Sequence, residues 1–554
     1  MSKRSSTQNK ATFLMDGEEF FGAFTSCLQE VKSSVVEGAV PPKTYVRLAY
    51  WAMEKDLRLS LTEAQLTLES ALKELADLGV HVEIILWDPD ALSGNVGGDK
   101  NFATKVAHGN KAVHKALHGY KGKILVCLES HPKVGVGYGL HQKMSIFSVS
   151  GKLKALVGGF NMEQEYWDTA YHWGAHPITH GGHTLHDTAV LVEGPVTCDV
   201  EEEWLRRWKG KLGMFSSVGT KSPDAVRAEV RALVSDQPRD GDLDIAVLTT
   251  GVSAWSTEHS IRDEIKTLIQ GATTYLYVEN YQFFDPEIVT EVCRKLKAHK
   301  PFQVCVVIPD SACDPTLANT QLSRIAYTRM LLASFKEKPQ EKSEQQKHKG
   351  KLDTALLSIK TQSSEPVNNE EGVYYKVLNA KKPSSWMEGA KLQKTPLANG
   401  KRVTSKAVDV ALETIDSFVL EEGHAPRVQV YCPVRFSQDS EDYAHSTKIY
   451  VHSKMMLIDS LHVIVGSANF GYRSMEYDGE MSLHIRGAGF ALAVKQKLFP
   501  HYNVNSVKEV PGALRDSGHA ERNRVKLVPR TPGQLGAGSA KVEEKLPLMN
   551  YSWF

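Results

Sequence analysis

The apolar positions between residues 16 and 128 alternate between a helical and a strand-like period. Apolar side chains recur at helical spacing from Asp16 to Val31, which predicts a helix there. The continuous apolar run ILVCL at 124–128 predicts a buried strand. The remaining predicted elements are strands at 43–51 and 80–87 and helices at 61–78 and 105–117. This alternation of helices and strands indicates a layered α/β domain.

A similar order of elements begins again after residue 242. Thr257 is a suitable N-cap for a helix whose apolar face includes Ile261 and Ile265. The later elements predicted for this part are strands at 275–280, 304–308 and 428–431 and a helix at 288–296. The repetition predicts an internal duplication.

The segments outside the repeated pattern are polar. The run KEKPQEKSEQQKHKGK indicates an inserted segment, partly disordered and partly helical at 403–420, and TPGQLGAGSA indicates a flexible tail. The predicted organisation is a disordered N-terminus at 1–12, an N-terminal half at 13–208, a connector at 209–242, a C-terminal half at 243–505 with an insertion at about 334–424, and a flexible tail at 510–554.

Composition and charge exclude some classes of protein. The chain has 554 residues, 42% of them hydrophobic, and a net charge of +1, so no strong overall field attracts nucleic acid. The seven cysteines are scattered and no CxxC occurs, which predicts reduced thiols rather than disulfides or a cysteine zinc site.

The expected location of the protein follows from a search of the sequence for a signal peptide and a transmembrane segment. The opening MSKRSSTQNKATF has no apolar core, so we expect no secretory signal. No run of about 18 apolar residues occurs, so we expect no transmembrane helix. We therefore expect a cytoplasmic protein, with membrane association or export without a signal peptide as alternatives.

The stretch Ile449 to Glu480 combines residues suited to phosphate chemistry. Alternate residues of a strand share a face, so His452 and Lys454 would point together into one cleft. A turn at Asp459-Ser460 and a return strand follow, and Gly466-Ser467-Ala468-Asn469 then presents an amide beside them. An imidazole can attack or protonate, while an ammonium and an amide hold phosphoryl oxygens.

The first half contains a matching stretch from Gly139 to Asn161. His141 and Lys143 have the same spacing, and a predicted hairpin and Gly158-Gly159-Phe160-Asn161 follow. A third H-x-K, His131-Pro132-Lys133, lacks the following strand and is interpreted as a chance match in a loop. The long pattern in both halves is far more specific than H-x-K alone.

These paired stretches resemble the phospholipase D superfamily, whose mark is two copies of H-x-K-x4-D followed by G-[SG]-x-N. The second copy matches in full, including Asp459, whereas the first has Ser148 in place of the aspartate, a position that supports the hairpin in that family. The resemblance implies a duplicated phospholipase D-like α/β/α sandwich, with two pseudo-twofold-related halves and one shared active-site cleft.

The resemblance also implies a role for each matching residue. His141 is expected to be the nucleophile that forms a phosphohistidine, and His452 the general acid and base. Asp187 and Glu480 are expected to orient the histidines, with Asp478 as a competitor for Glu480. The groups expected to hold phosphoryl oxygens are Lys143, Lys454, Asn161, Asn469 and Ser467.

Five histidines between residues 172 and 186 favour a competing hypothesis, that of a metal-dependent hydrolase. They are His172, His176, His180, His183 and His186. Gly174, Pro177 and Gly181-Gly182 break any helix that would align them, so the simpler interpretation is a loop lining the cleft. We expect no metal and no cofactor.

The predicted function is a phospholipase D-type phosphodiesterase that hydrolyses glycerophospholipids and transfers them to another alcohol where alcohol outcompetes water. The alternatives are a phosphatidyltransferase resembling cardiolipin or phosphatidylserine synthases, and a nuclease of the same superfamily. The expected partners are the phospholipid and a membrane surface contacted peripherally, not nucleic acid. The lipid head group and the oligomeric state stay open.

Overall fold

A computed structural model describes most of both halves of the chain. The described residues are 4–38, 42–88 apart from 61 and 64, 100–129, 139–172, 184–208, 223–252, 257–310, scattered positions from 313 to 334, 427–436, 446–502 apart from 477, and 525–530. The predicted insertion lies almost entirely outside these residues, including the helix expected at 403–420.

The first half forms one mixed sheet. Its strands are β1 (Arg4–Met15), β2 (Tyr45–Tyr50), β3 (His81–Trp87), β4 (Ile124–Glu129), β5 (Met144–Val149), β6 (Lys152–Gly158) and β8 (Thr188–Glu193), with the short β7 (Leu185–His186) outside it. The order is β4-β3-β2-β5-β6-β8-β1. The first three strands are parallel because helices connect them, and the rest are antiparallel.

The second half repeats this order. Its strands are β9 (Leu243–Val252), β10 (Thr257–His259), β11 (Tyr275–Asn280), β12 (Gln303–Val307), β13 (Val428–Arg435), β14 (Thr447–Lys448), β15 (Tyr450–Val451), β16 (Lys454–Ile458), β17 (His462–Gly466), β18 (Glu480–Arg486) and β19 (Val525–Pro529). The main sheet runs β19-β13-β12-β11-β16-β17-β18-β9, so β11 pairs with β16 as β2 pairs with β5.

Helices cover both faces of each sheet. They are α1 (Asp16–Val36), α2 (Leu68–Asp77), α3 (Lys100–Leu117), α4 (Val196–Arg207), α5 (Pro223–Leu233), α6 (Ser260–Gly271), α7 (Pro286–Ala298), α8 (Tyr472–Glu476) and α9 (Ala488–His501). Phe20 and Leu72 pack α1 and α2 on one face of the first sheet, and Ile265 packs α6 on the second sheet. On the other face of each sheet, Trp204 of α4 and Leu498 of α9 pack into one apolar core that both halves share. The fold is the expected duplicated α/β/α sandwich.

The predicted disorder is wrong for residues 4–12, because β1 joins the two sheets. Arg4 pairs with Val247 of β9, whereas Lys10 pairs with Glu193 of β8. The Asn9 side chain is fully buried and donates to the Leu243 carbonyl over 3.2 Å. Backbone pairing on both sides therefore orders a strand whose side chains are mostly polar.

Three further expectations need correction. The connector contains α5, which buries Val226 in the central core. Thr257 does not cap a helix, since it lies in β10 and α6 begins at Ser260. The tail is not flexible throughout, because β19 pairs with β13 and buries Leu527. In the described part of the chain, we find no helix both long and apolar enough to span a membrane.

The two hairpins differ at the aspartate position of the motif. The Asp459 carboxylate accepts five hydrogen bonds of 2.5–3.0 Å from Thr273, Thr274 and Tyr275 at the start of β11. Ser148 is instead fully buried inside β5, opposite Tyr45, and its hydroxyl donates to the carbonyl of Lys43 over 2.7 Å. Serine therefore retains one of the contacts that tie the hairpin to the neighbouring strand.

Removing these two side chains is expected to destabilise the protein unequally. Asp459→Ala loses several charge-assisted hydrogen bonds and should cost about 2–3 kcal/mol of unfolding free energy, against about 1 kcal/mol for Ser148→Ala. Urea unfolding followed by circular dichroism measures the difference. Equal losses in the two variants would show that Asp459 does not hold its hairpin more strongly than Ser148.

Candidate active site

The first H-x-K motif is positioned by a contact between the two halves. Leu140 forms a parallel bridge with Gly479, and the amide of His141 donates to the Gly479 carbonyl over 3.0 Å. β5 begins at Met144, so His141 and Lys143 lie directly before it. The segment that contains the motif histidine is therefore paired with the residue before Glu480.

The second motif is positioned in the same way. β15 pairs in parallel with β7, and the amide of His452 donates to the carbonyl of His186 over 2.7 Å. The residue after the contacted one is again an acid, Asp187 here and Glu480 in the first contact. Each half thus places an acidic side chain beside the histidine of the other.

Both histidines are hydrogen-bonded through Nδ1 to these acids. The distance is 2.8 Å from His141 Nδ1 to Glu480 Oε1 and 2.7 Å from His452 Nδ1 to Asp187 Oδ2. The acids are fully buried, whereas the histidine side chains are 16% and 12% exposed. An acceptor on Nδ1 selects the tautomer that leaves the lone pair of Nε2 free for chemistry.

The competing acid Asp478 has different partners. Its carboxylate accepts a hydrogen bond from the amide of Gly139 over 3.0 Å and forms an ion pair with Arg473, whose Nε lies 2.7 Å from Oδ2. Glu480 is therefore the partner of His141, and Asp478 with Arg473 holds the backbone just before the motif. Arg473 lies on α8 and belongs to no pattern that the sequence made visible.

The two motif lysines are buried and equivalent. Lys143 Nζ donates to the carbonyl of His141 over 2.9 Å, and Lys454 Nζ donates to the carbonyl of His452. Burial lowers the pKa of Lys143 to about 8 and that of Lys454 to about 7, although Glu480 and Asp187 oppose the shift. Two cations that are poorly solvated in this way favour binding of an anion.

The same burial keeps both imidazoles neutral. Burial first, and then Lys143 and Lys454, lower the pKa of His141 and of His452 well below 6.5. Arg473 also lowers the pKa of His141. Both rings are thus neutral at pH 7 before a ligand binds, as nucleophilic attack by an imidazole requires.

The two motif asparagines place amides at the site. Asn161 Nδ2 donates to the hydroxyl of Tyr166 over 2.9 Å, and that hydroxyl lies 3.4 Å from His452 Nε2. Among the described residues, Oδ1 of Asn161 and Oδ1 of Asn469 have no hydrogen-bond partner. No pattern in the sequence indicated that Tyr166 belongs to the site. The same holds for Trp51, whose ring centre is 5.9 Å from that of His141.

The two G-[SG]-x-N turns serve the acids in different ways. A Cβ at Gly159 would lie 2.1 Å from Oδ1 of Asp187, so only glycine fits there. Ser467 instead donates to Oε2 of Glu480 over 2.5 Å and accepts from the amide of Met481 over 3.0 Å. The hydroxyl of Ser467 thus positions Glu480, and its contact with phosphate stays a prediction.

Only two histidines of the five-histidine segment lie among the described residues, and neither is exposed. His172 and His186 are fully buried behind Asp187, where His172 Nδ1 lies 2.8 Å from Asp168 Oδ2. The other three histidines, His176, His180 and His183, lie outside the described residues.

Comparison with known proteins gives one consistent result. Residues 412–499 match the family described as cardiolipin synthase, PLD-like domain, a span that contains His452, Lys454 and Glu480. Phospholipase D beta 1 of Arabidopsis thaliana is 23% identical over 512 residues, which cover 77% of this chain and 42% of that protein. Phospholipase D alpha 4 of the same plant is 20% identical over 502 residues, covering 78% and 57%. The chain spans about half the length of these curated relatives.

Among solved structures, phosphatidylserine synthase of Haemophilus influenzae Rd KW20 aligns with 96% of this chain and 90% of its own, at 12% identity and a TM-score of 0.46. That score is too low to support an argument. The two H-x-K stretches, the family match and the plant relatives carry the assignment. The chain is a member of the phospholipase D superfamily.

Proposed function

We propose that this protein is a phospholipase D-type phosphodiesterase that hydrolyses glycerophospholipids without a metal ion at the reacting phosphate. The observation that supports this proposal is the pair of neutral histidines, each hydrogen-bonded to an acid from the opposite half and followed by a buried lysine. The set provides a nucleophile, an acid–base group and two cations for phosphoryl oxygens.

In the first step, Nε2 of His141 attacks phosphorus and forms a P–N bond while the bond to the head-group oxygen breaks. We assign the attack to His141 because three cationic side chains, Lys143, Lys454 and Arg473, favour its neutral form, whereas the groups that lower the pKa of His452 are the two lysines and His141 itself. The leaving oxygen takes its proton from His452.

His452 must carry that proton when substrate is bound. A phosphodiester anion between the lysines offsets the positive field that lowers the pKa of His452, so its pKa rises on binding. Asp187 on Nδ1 stabilises the imidazolium that results. Substrate binding thus prepares the acid, while Arg473, which lowers the pKa of His141, still favours the neutral form of that ring.

In the second step, His452 removes a proton from water, and the hydroxide attacks phosphorus. The P–N bond breaks, which releases phosphatidate and restores neutral His141. An alcohol in place of water gives transfer of the phosphatidyl group. Lys143, Lys454 and the asparagine amides hold the phosphoryl oxygens in both steps, since preorganised donors stabilise the charge that develops there.

The choice of phospholipid as substrate rests on the plant relatives, which are phospholipases D. The match to the family named for cardiolipin synthase supports a second candidate, a phosphatidyltransferase. The two differ only in the acceptor of the second step. Either activity implies a peripheral contact with a lipid surface.

The lipid assignment predicts release of head group from mixed phospholipid vesicles in the presence of EDTA, with no cleavage of single-stranded DNA. His141→Ala and His452→Ala should each lower the rate by about a thousandfold or more, because each removes a group that forms or breaks a bond. The control is His462→Ala, since His462 lies on the return strand of the same hairpin and contacts His484 instead.

The two variants should fail at different steps. With a labelled lipid whose leaving group needs no protonation, His452→Ala should accumulate a phosphatidyl adduct on the protein, whereas His141→Ala should show none. The reaction is quenched in detergent at mildly alkaline pH, because the P–N bond of a phosphohistidine is labile in acid. An adduct in His141→Ala would reverse the roles, and cleavage of DNA alone would overturn the lipid assignment.

The lowered pKa values of the two lysines predict that kcat/KM begins to fall with rising pH at an unusually low pH. Their ammonium charge is present below a pKa of about 7 for Lys454 and about 8 for Lys143 and is lost above it, so kcat/KM should fall as pH rises through this range. The fall in kcat should lie at higher pH, because bound phosphate raises both pKa values. A kcat/KM profile that stays flat to pH 10 would show that the lysines have ordinary pKa values.

A further inference from the structure

Behind Asp187, four buried side chains from distant parts of the chain bring metal-binding atoms together. They are Asp16 at the start of α1, His172, His186 of β7 and His501 at the end of α9. Their ligand atoms lie within 4.8 Å of one another, and each residue is at most 4% exposed. The mechanism proposed above uses none of the four.

Two of the histidines are held by a carboxylate on the nitrogen that faces away from the cluster. His172 Nδ1 lies 2.8 Å from Asp168 Oδ2, and His186 Nε2 lies 3.0 Å from Glu279 Oε2. Metal-bound histidines are usually fixed in this way, because the carboxylate sets the tautomer and makes the other nitrogen a better ligand. His172 Nε2 and His186 Nδ1 are thus aimed into the cluster.

The polar atoms inside the cluster do not all have hydrogen-bond partners. His172 Nε2 and His501 Nε2 face each other at 3.3 Å, so they clash or repel unless a proton or a cation lies between them. Asp16 Oδ2 and His501 Nδ1 have no hydrogen-bond partner among the described residues. A separation of about 3.3 Å is also the edge of a tetrahedron with zinc–nitrogen bonds of about 2.0–2.1 Å.

The backbone supports the same site. Asp16 has φ of 61° and His172 has φ of 46°, a left-handed conformation that residues with a Cβ rarely adopt. Such conformations persist where the surroundings enforce them and concentrate at functional sites. Two of the four candidate ligands carry this strain.

We propose that Asp16, His172, His186 and His501 hold one Zn²⁺ ion in a closed structural site. Three imidazoles and one carboxylate fill a tetrahedral shell, which leaves no open position for substrate or water. The ion replaces the proton between His172 and His501 and the one that His186 Nδ1 shares with Asp16 at 2.8 Å, and both protons are released to solvent. Binding contracts the wider separations towards the tetrahedral edge.

The ion would fasten α9 of the C-terminal half to the N-terminal half next to the active site. His186 directly precedes Asp187, and the amide of Asp16 donates to the Asp187 carbonyl over 2.9 Å. This role is independent of the reaction proposed above, because the metal reaches no phosphate. A fully buried ion does not exchange during a brief EDTA exposure, so the lipid assay is not affected.

The test is the metal content of the full chain purified without a metal-affinity step. We expect about one zinc per chain by mass spectrometry, with His172→Gln and His501→Gln below about 0.2 and His462→Ala unchanged. Prolonged dialysis against a strong chelator should lower Tm by about 5 °C or more, and added Zn²⁺ should restore it. Co²⁺ added to the stripped protein should give the intense visible absorption of a four-coordinate site.

The cobalt spectrum needs no variant and therefore tests for a closed four-coordinate site even if the glutamine variants fail to fold. A protein that contains no zinc and takes up neither Zn²⁺ nor Co²⁺ would identify the cluster as a proton-sharing network. Zinc retained at full occupancy in both folded glutamine variants would place the ion elsewhere. Either result would overturn the proposal without bearing on the lipid activity.

Discussion

The hydrogen bonds between each motif histidine and an acid of the opposite half are the constraint on which the site depends. Neither half supplies both the motif histidine and its carboxylate, because Glu480 serves His141 and Asp187 serves His452. Short parallel contacts at Gly479 and His186 set the backbone so that these pairs can form. The strand β1, which pairs with both sheets, ties the halves at another point. Duplication therefore matters here because it makes two half-sites complete each other.

Burial gives this arrangement its chemistry. The acids and lysines are almost fully buried, so charge is costly unless it is balanced nearby. The lysines lose part of their affinity for protons, and the histidines remain neutral beside them. In the proposed reaction a phosphodiester would supply the missing negative charge, which would link binding of an anion to the protonation state needed for the first step. The same field would give little advantage to a neutral ester.

Local sequence patterns predicted much of the fold but not the contacts between distant segments. The strand at 275–280 and the turn at Asp459-Ser460 follow from local pattern and agree with the structure. β1 and β19 were missed because their order comes from pairing with strands far along the chain. The long-range meeting of Asp16 and His501 left no local trace for the same reason. The family pattern proposed Glu480, and only the structure could separate it from Asp478 two residues away.

The most direct test of the central claim is ¹⁵N NMR of labelled histidines in Glu480→Gln and Asp187→Asn. The ring signals of His141 and His452 can be assigned from the corresponding alanine variants. Crossed pairing predicts that Glu480→Gln shifts the ring nitrogens of His141 and leaves those of His452 in place, and that Asp187→Asn does the reverse. If each substitution instead perturbed the histidine of its own half, the halves would not complete each other and the account would fail.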